Sequence, residues 1–159
     1  MRIGSLFFIL LALGAFAQFD PAGGEEGSFS VHKDDVSIIG WATGADLQRG
    51  YAQINDTTLG YLDAGEASNA TGAFDGSTVS LGDGGSITLT FDRPIKNTTG
   101  YDFAIFENGF KVGVSYYLEL AHVEVSENGD DFVRFASESL TDTSNQINNF
   151  SYIDPRAVH

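Results

Sequence analysis

The sequence has 159 residues, with 8 Lys and Arg against 22 Asp and Glu, and it contains no cysteine. This length leaves room for one domain. The strong negative charge argues against nucleic acid as a partner and against anionic membrane surfaces, because binding to both depends on Lys and Arg. Without cysteine, disulfides and thiolate metal sites are excluded. The composition suits a cation or a neutral, hydroxyl-rich ligand, and it leaves the oligomeric state open.

The N-terminus has the layout of a secretory signal peptide. Arg2 precedes an apolar run from Leu6 to Phe16 that ends among small residues. This run is shorter than the roughly 20 residues of a membrane-spanning helix, so we expect removal of residues 1–17 and no membrane insertion. The mature chain is predicted to be secreted or held at the cell surface. Residues 18–30 are predicted to form an irregular lead-in, and residues 31–159 a β-domain.

Short β-prone segments follow in chain order, separated by clusters of Gly, Asn, Asp and Ser. They are "VSIIGW" (36–41), "TLGYL" (58–62), "GSITLTF" (85–91), "YDFAIFE" (101–107), "YYLELAHVEVS" (116–126) and "DFVRFA" (131–136). No window shows a convincing 3.6-residue apolar period. The pattern predicts an all-β antiparallel sandwich without a long α-helix. Segment 101–107 is apolar on both faces, which predicts a buried strand.

A hairpin is predicted around Asn128 and Gly129, where glycine accepts a positive φ. A two-residue loop would place Val123 opposite Arg134, whereas a three-residue loop places it opposite Val133. The second register gives one coherent apolar face, so we expect it.

Two glutamates fall on strand faces that this pattern predicts to be buried. Glu107 ends segment 101–107, and Glu119 shares a face with Ala121 and Val123. A buried carboxylate costs several kcal/mol unless it is paired, hydrogen-bonded or metal-bound. Two interpretations remain open: hydrogen bonds from loop N–H groups, or an oxygen-rich Ca²⁺ site.

Exposed aromatic side chains could stack against sugar rings, which present apolar C–H faces. The candidates are Trp41, Tyr51, Tyr61, Tyr116 and Tyr117. Of these we single out Trp41, Tyr116 and Tyr117 as ligand-binding residues. Packing in the core and at its rim is the alternative interpretation.

Other patterns favour turns over sites. The glycine-rich stretch 80–86 precedes a strand rather than a helix, so it predicts a tight turn and not a phosphate site. The acidic stretch 126–131 lacks EF-hand spacing and predicts a solvated turn. His32, His122 and His159 are scattered, and His32 with its charged neighbours predicts an exposed turn. Catalytic carboxylates need no fixed spacing, so a secreted hydrolase using acidic residues stays an alternative.

Three long stretches resemble a family of bacterial secreted or cell-surface proteins that often end in a sorting domain. They are "VHKDDVSIIGWATG", "VSLGDGGSITLTFDRPIKNTTGYDFAIFENGF" and "YLELAHVEVSENGDDFVRFASESL". The strand pattern of this family looks similar to the galactose-binding jelly roll of discoidin-like domains and carbohydrate-binding modules. The resemblance implies a non-catalytic surface module that captures a glycan or a corrinoid, and it supplies no binding residues. Its relatives continue past "IDPRAVH", so the jelly roll is expected to be incomplete at residue 159.

The leading expectation is therefore an exported, non-enzymatic β-sandwich that binds a glycan or another small neutral ligand, with structural Ca²⁺ held by Glu107 and Glu119. The secreted hydrolase and a purely structural adhesion domain are the alternatives from other classes.

Overall fold

The computed structural model describes residues 25–112, 115–117 and 121–137. Within these ranges the strands are β1 (Gly44–Gln48), β2 (Ser86–Thr90), β3 (Phe110–Val112), β4 (Ser115–Tyr117), β5 (Glu124–Val125) and β6 (Val133–Arg134). They pair as three antiparallel two-stranded sheets, β1 with β2, β3 with β4 and β5 with β6.

The described part of the chain is mostly non-helical, as predicted. Its helical elements are two short 3₁₀ turns, Thr57–Leu59 and Ala67–Ala70. None of the helices in the described ranges has the length and apolar character needed to cross a membrane. The chain is therefore β-rich in this region. The predicted signal peptide, residues 1–17, lies outside the described residues.

β2 confirms a strand within segment 85–91, although burial does not alternate along it, since Leu89 and Phe91 are exposed. Its partner β1 was not predicted. Gly44 lies opposite Thr90 and Gln48 opposite Ser86. The sequence of β1, "GADLQ", contains Gly, Ala and Asp, which are depleted in strands. Pairing with β2 outweighs these unfavourable strand propensities. A Cβ on Gly44 would lie 2.5 Å from the Thr90 Oγ1, so glycine at this end of β1 allows β2 to approach closely.

Segments 36–41, 58–62 and 101–107 do not form the predicted strands. The predicted segment 116–126 is not one continuous strand, because residues 121–123 lie outside β4 and β5. Segment 36–41 is irregular, and Val36 and Ile39 are almost fully exposed. Its start is taken by a turn in which Asp35 accepts the N–H groups of Ser37 and Ile38, so these groups are not available to a strand ladder. In segment 58–62, Asp56 caps a 3₁₀ turn instead.

Segment 101–107 is also not a strand, and it is not buried. Tyr101 is 78% and Ile105 63% exposed. Asp102 accepts the backbone N–H and the hydroxyl of Thr98 through Oδ1, which turns the chain before the segment begins. Aromatic β-propensity does not make a strand without a pairing partner, since it reflects packing against neighbours.

The predicted hairpin exists between β5 and β6, but its predicted register is wrong. Val125 lies opposite Val133 and Glu124 opposite Arg134, and the Phe135 N–H donates to the Val123 carbonyl. The register differs by two residues from the predicted one, so the apolar residues still share one face. On the other face the Arg134 Nε lies 2.6 Å from the Glu124 Oε1.

The hairpin loop explains the shift in register. The Asn128 Oδ1 accepts the N–H groups of Asp130 and Asp131, each at 2.9 Å, and the Ser126 Oγ accepts the N–H of Gly129. These bonds need a loop longer than three residues. The segment is an exposed acidic turn, as the sequence predicted.

Ala42 is the buried hydrophobic residue of the described ranges, at 7% exposure. Larger apolar side chains shelter one another only in part. Trp41 and Phe74 both contact Phe106, with ring centroids 5.6 and 5.8 Å away. The order in this region therefore depends strongly on backbone hydrogen bonds.

Arg49, which directly follows β1, ties two loops together. Its Nη1 donates to the carbonyls of Ala64, at 2.8 Å, and Ser80, and its Nη2 donates to Gly65. The Ser80 N–H also donates to the Ala64 carbonyl. A guanidinium has five donors in a rigid fork, so it can satisfy several carbonyls at once.

We expect Arg49→Ala to lower the free energy of unfolding by about 1.5 to 3 kcal/mol, because hydrogen bonds to charged groups contribute on this order. Urea denaturation followed by tryptophan fluorescence measures this. Arg93→Ala removes an exposed arginine and serves as the control, with an expected change within about 0.5 kcal/mol. Equal stability of the two variants would show that the Arg49 hydrogen bonds do not hold the loops.

Candidate functional site

The turn before β2 lies directly against the residues after β1. The Gly50 N–H donates to the Leu81 carbonyl at 2.7 Å, and the Gly85 N–H donates to the Gly82 carbonyl at 3.0 Å, closing the turn. This confirms the predicted tight turn in residues 80–86. A Cβ on Gly50 would lie 2.4 Å from the Asp83 carbonyl oxygen, and Gly82 has a φ of 77°. Only glycine meets both conditions without strain.

Tyr51 follows Gly50 and lies between two other chain segments. Its N–H donates to the Asp83 carbonyl at 3.0 Å and its carbonyl accepts the Asp83 N–H at 2.8 Å. On the other side it pairs with Tyr61. The hydrogen bonds on this side lie before and after the pair. The Ala52 N–H donates to the Gly60 carbonyl, and the Leu62 N–H donates to the Gly50 carbonyl. Such a non-hydrogen-bonded pair brings side chains closest together.

The two tyrosine rings are stacked as this pairing requires. Their centroids are 4.7 Å apart and their planes differ by 16°. The Tyr61 hydroxyl donates to the Tyr51 hydroxyl at 3.4 Å. Tyr61 is 62% exposed and Tyr51 is half-buried. We call these two side chains the tyrosine pair.

Hydrogen bonding and the charge that Tyr51 would carry raise the pKa of Tyr61 above its ordinary value of 10.0. The first cause is the hydrogen bond, which favours the neutral phenol. Tyr61 therefore presents a neutral hydroxyl at physiological pH, next to an apolar ring face. This combination suits a ligand with C–H faces and hydroxyl groups.

Tyr51 pairs with Asp83 as well as with Tyr61, so the three residues form one row across three chain segments. We call this row the rung. Asp83 is half-buried, and its Oδ2 accepts the Ile54 N–H at 2.9 Å. This bond holds the carboxylate against the backbone of Ile54. No local sequence pattern marks Asp83, because it lies in a glycine-rich turn and its neighbours in space are far along the chain.

None of the three aromatic residues singled out from the sequence belongs to the tyrosine pair. Trp41 is half-buried and packs on Phe106, an arrangement of the kind that core packing produces. Tyr116 and Tyr117 lie on β4, opposite Lys111 and Phe110. The orientation of their side chains is outside what the structure describes. Ligand binding by these three residues stays a prediction.

A metal site at Glu107 was predicted because this residue was expected to be buried. That expectation is wrong, because Glu107 is exposed. It is exposed because segment 101–107 does not enter a sheet. Glu119 lies outside the described residues. Within the described ranges, no three His, Asp or Glu side chains are grouped so that they could hold a metal ion. Calcium binding stays a prediction.

His32 lies in an exposed turn, as predicted. Its carbonyl accepts the Asp35 N–H at 2.9 Å, and the Lys33 Nζ donates to the Asp34 Oδ1 at 3.0 Å. The bond from Lys33 lowers the pKa of Asp34. The charges of this turn are thus satisfied locally.

Comparison with known proteins adds no name to this site. A scan against protein-family models found no match, and searches of curated proteins and of solved structures found none.

We expect Tyr51→Phe to bring the pKa of Tyr61 back toward 10.0, because the ring remains and the hydroxyl that accepts the hydrogen bond is lost. Ultraviolet absorbance titration of the phenolate measures this, with Tyr61→Phe and Tyr101→Phe as controls that identify each signal. A folded-state pKa above the unfolded one stabilises the fold below pH 10.0, and this contribution is lost as the pH rises through the folded pKa. Identical titration of the remaining tyrosines in wild type and Tyr51→Phe would contradict the hydrogen bond.

Proposed function

We propose that this chain is an exported, non-catalytic binding module for a neutral glycan, and that the tyrosine pair is its stacking platform. The observation behind the proposal is a stacked pair of tyrosines, one exposed and one half-buried, whose backbones are held in place by hydrogen bonds to neighbouring segments. A platform that is already ordered loses little conformational entropy when the ligand binds.

The geometry of the pair leaves one ring face open on Tyr61. Each stacked ring covers one face of the other, and the 62% exposure of Tyr61 belongs to its remaining surface. A pyranose ring could lie on this surface with its C–H groups against the aromatic face and its hydroxyls toward water and the phenols.

The charge of the chain favours a neutral ligand. The formal net charge is −14, so an anionic polysaccharide or nucleic acid would be repelled over the distance of a Debye length. Removal of the predicted signal peptide would take away Arg2 and make the charge more negative.

We place the paired strands in a β-sandwich of jelly-roll type. The support is the antiparallel pairing of the described strands together with the resemblance to bacterial surface proteins. Sheets β1–β2, β3–β4 and β5–β6 would be parts of such a sandwich. Export to the cell surface or medium rests on the layout of residues 1–17. The resemblance implies capture of a glycan or a corrinoid, and the tyrosine pair favours the glycan because it offers a platform of sugar-ring size.

A glycan array probed with the chain from residue 18 onward tests this function, followed by calorimetry on the best binder. We expect Tyr61→Ala to weaken binding by about tenfold or more, since a stacking ring supplies roughly 1.4 kcal/mol or more at a binding site. Tyr61→Phe keeps the ring and should keep most of the affinity.

Tyr101→Ala is the matched control, because Tyr101 is 78% exposed and lies outside the pair. Loss of binding in Tyr61→Ala with full binding in Tyr101→Ala supports the platform. If the wild type binds no neutral glycan, the proposed function is contradicted. It is also contradicted if the chain cleaves the bound oligosaccharide, and that result would favour the hydrolase.

Calcium binding by Glu107 and Glu119 is a separate part of the proposal. If Ca²⁺ binds the native chain there, EDTA should lower the Tm of the wild type and leave Glu107→Ala nearly unchanged, because a ligand of the native state stabilises it by mass action. Glu66→Ala removes another exposed glutamate and should respond like the wild type. An equal EDTA response in all three proteins would remove Glu107 from any metal site.

A further inference from the structure

We propose that Asn108 is a site of spontaneous chemical modification. The backbone nitrogen of Gly109 and one water molecule convert its side-chain amide into the carboxylate of an aspartate or isoaspartate. The fold leaves this site open, whereas it protects the second asparagine of the same local sequence, Asn128. This inference goes beyond the proposed function and does not depend on the glycan platform.

The chain contains the tripeptide Glu-Asn-Gly twice, at residues 107–109 and 127–129. Glycine has no Cβ, so the backbone nitrogen after each asparagine is unshielded. This nitrogen can reach the side-chain carbon of the asparagine, and the reaction gains from being intramolecular. Because the residue before the pair is also the same, the two sites have similar intrinsic reactivity. Their surroundings in the fold must therefore set any difference in rate.

The reaction consumes one water molecule and releases one ammonia. The Gly109 nitrogen loses its proton and forms a bond to the Asn108 Cγ, and the bond from Cγ to Nδ2 breaks, so that Nδ2 leaves as ammonia with that proton. The cyclic imide then adds water at one of its carbonyl carbons. Opening on one side gives aspartate. Opening on the other side gives isoaspartate, in which the main chain continues through Cβ and Cγ.

At Asn128 the fold holds both the amide and the attacking nitrogen. Oδ1 accepts the N–H groups of Asp130 and Asp131, and Nδ2 donates to the Asp131 Oδ2, each at 2.9 Å. The Gly129 N–H donates to the Ser126 Oγ at 2.9 Å, so the proton that must leave is not offered to water. Turning the amide carbon toward this nitrogen would break these hydrogen bonds, and each broken bond raises the barrier.

Asn108 has the opposite surroundings. Asn108 and Gly109 are both exposed and lie in irregular chain just before β3. Among the described residues, neither the Asn108 side chain nor the Gly109 N–H takes part in a hydrogen bond. The amide can therefore rotate toward the Gly109 nitrogen without losing a partner, and water reaches both groups. The fold thus separates two sites that the sequence makes alike.

The product changes the chain in charge and in length. Either form adds one negative charge beside Glu107, in a chain whose formal net charge is already −14. Isoaspartate also inserts one more carbon atom into the main chain before Phe110, the first residue of β3. This insertion disturbs the alignment of Phe110 with Tyr117 on β4. The change accumulates with the age of the chain.

The test incubates the purified native chain in heavy-oxygen water at mildly alkaline pH and compares the two sites within the same molecule. Peptide mass spectrometry measures conversion at each asparagine, because one labelled oxygen enters at each event. We expect conversion at Asn108 to be faster than at Asn128 by about tenfold or more, since the hydrogen bonds that must break at Asn128 raise its barrier by at least this factor.

Three controls separate the fold from the local sequence. In denaturant the two sites should convert at similar rates, because Asn128 is no longer protected. Ser126→Ala removes the acceptor of the Gly129 N–H and should raise the native rate at Asn128 severalfold while the rate at Asn108 stays the same. Gly109→Ala shields the attacking nitrogen and should slow conversion at Asn108 severalfold.

A native rate at Asn108 equal to or below the rate at Asn128 overturns the proposal, and so does conversion of Asn108 only after denaturation. An unchanged rate in Gly109→Ala overturns the role of the Gly109 nitrogen. Should Ser126→Ala not fold, the comparison of the two sites in the wild type still decides.

Discussion

The backbone at Gly50 lies directly against the backbone of the turn before β2, and much of the described structure depends on this close approach. The Gly50 N–H reaches the Leu81 carbonyl at 2.7 Å, and any Cβ at this position would overlap Gly85 and Asp83. Because the two segments touch without side chains between them, the next residue, Tyr51, is brought into register with Asp83. The pairing with Tyr61 then completes a rung of three segments.

This arrangement replaces, in part, what a large apolar core does in other domains. Ala42 is the buried hydrophobic residue of the described ranges, whereas backbone bonds converge around Arg49, whose guanidinium satisfies carbonyls from two loops. A lattice of this kind fixes side chains at the surface without burying them. Aromatic residues can then remain both ordered and exposed, which is the combination that a stacking platform needs.

Two kinds of aromatic contact have different consequences here. Trp41 and Phe74 pack on the half-buried Phe106, so these rings shelter one another from water. The stacked tyrosines lie at the surface, where each keeps a polar end beside an apolar face. Residue type alone does not distinguish these outcomes, since tryptophan and tyrosine both suit sugar binding. What distinguishes them is where each ring lies relative to the network of backbone hydrogen bonds.

Local patterns in the sequence determined the lack of long helices in the part of the chain that the structure describes, the strand β2, the glycine turn in residues 80–86 and the acidic turn beside Asn128. These features depend on residues close together in the chain, and their chemistry is visible there. The β5–β6 register depends on hydrogen bonds inside the hairpin loop, which the alternation of apolar residues does not show. Strand β1 and the rung of Tyr51, Tyr61 and Asp83 were decided by tertiary structure. They join segments distant in sequence through backbone bonds, which no side-chain pattern encodes. Segment 101–107 shows the converse: strong β-propensity formed no strand there, because a strand exists only through its partner.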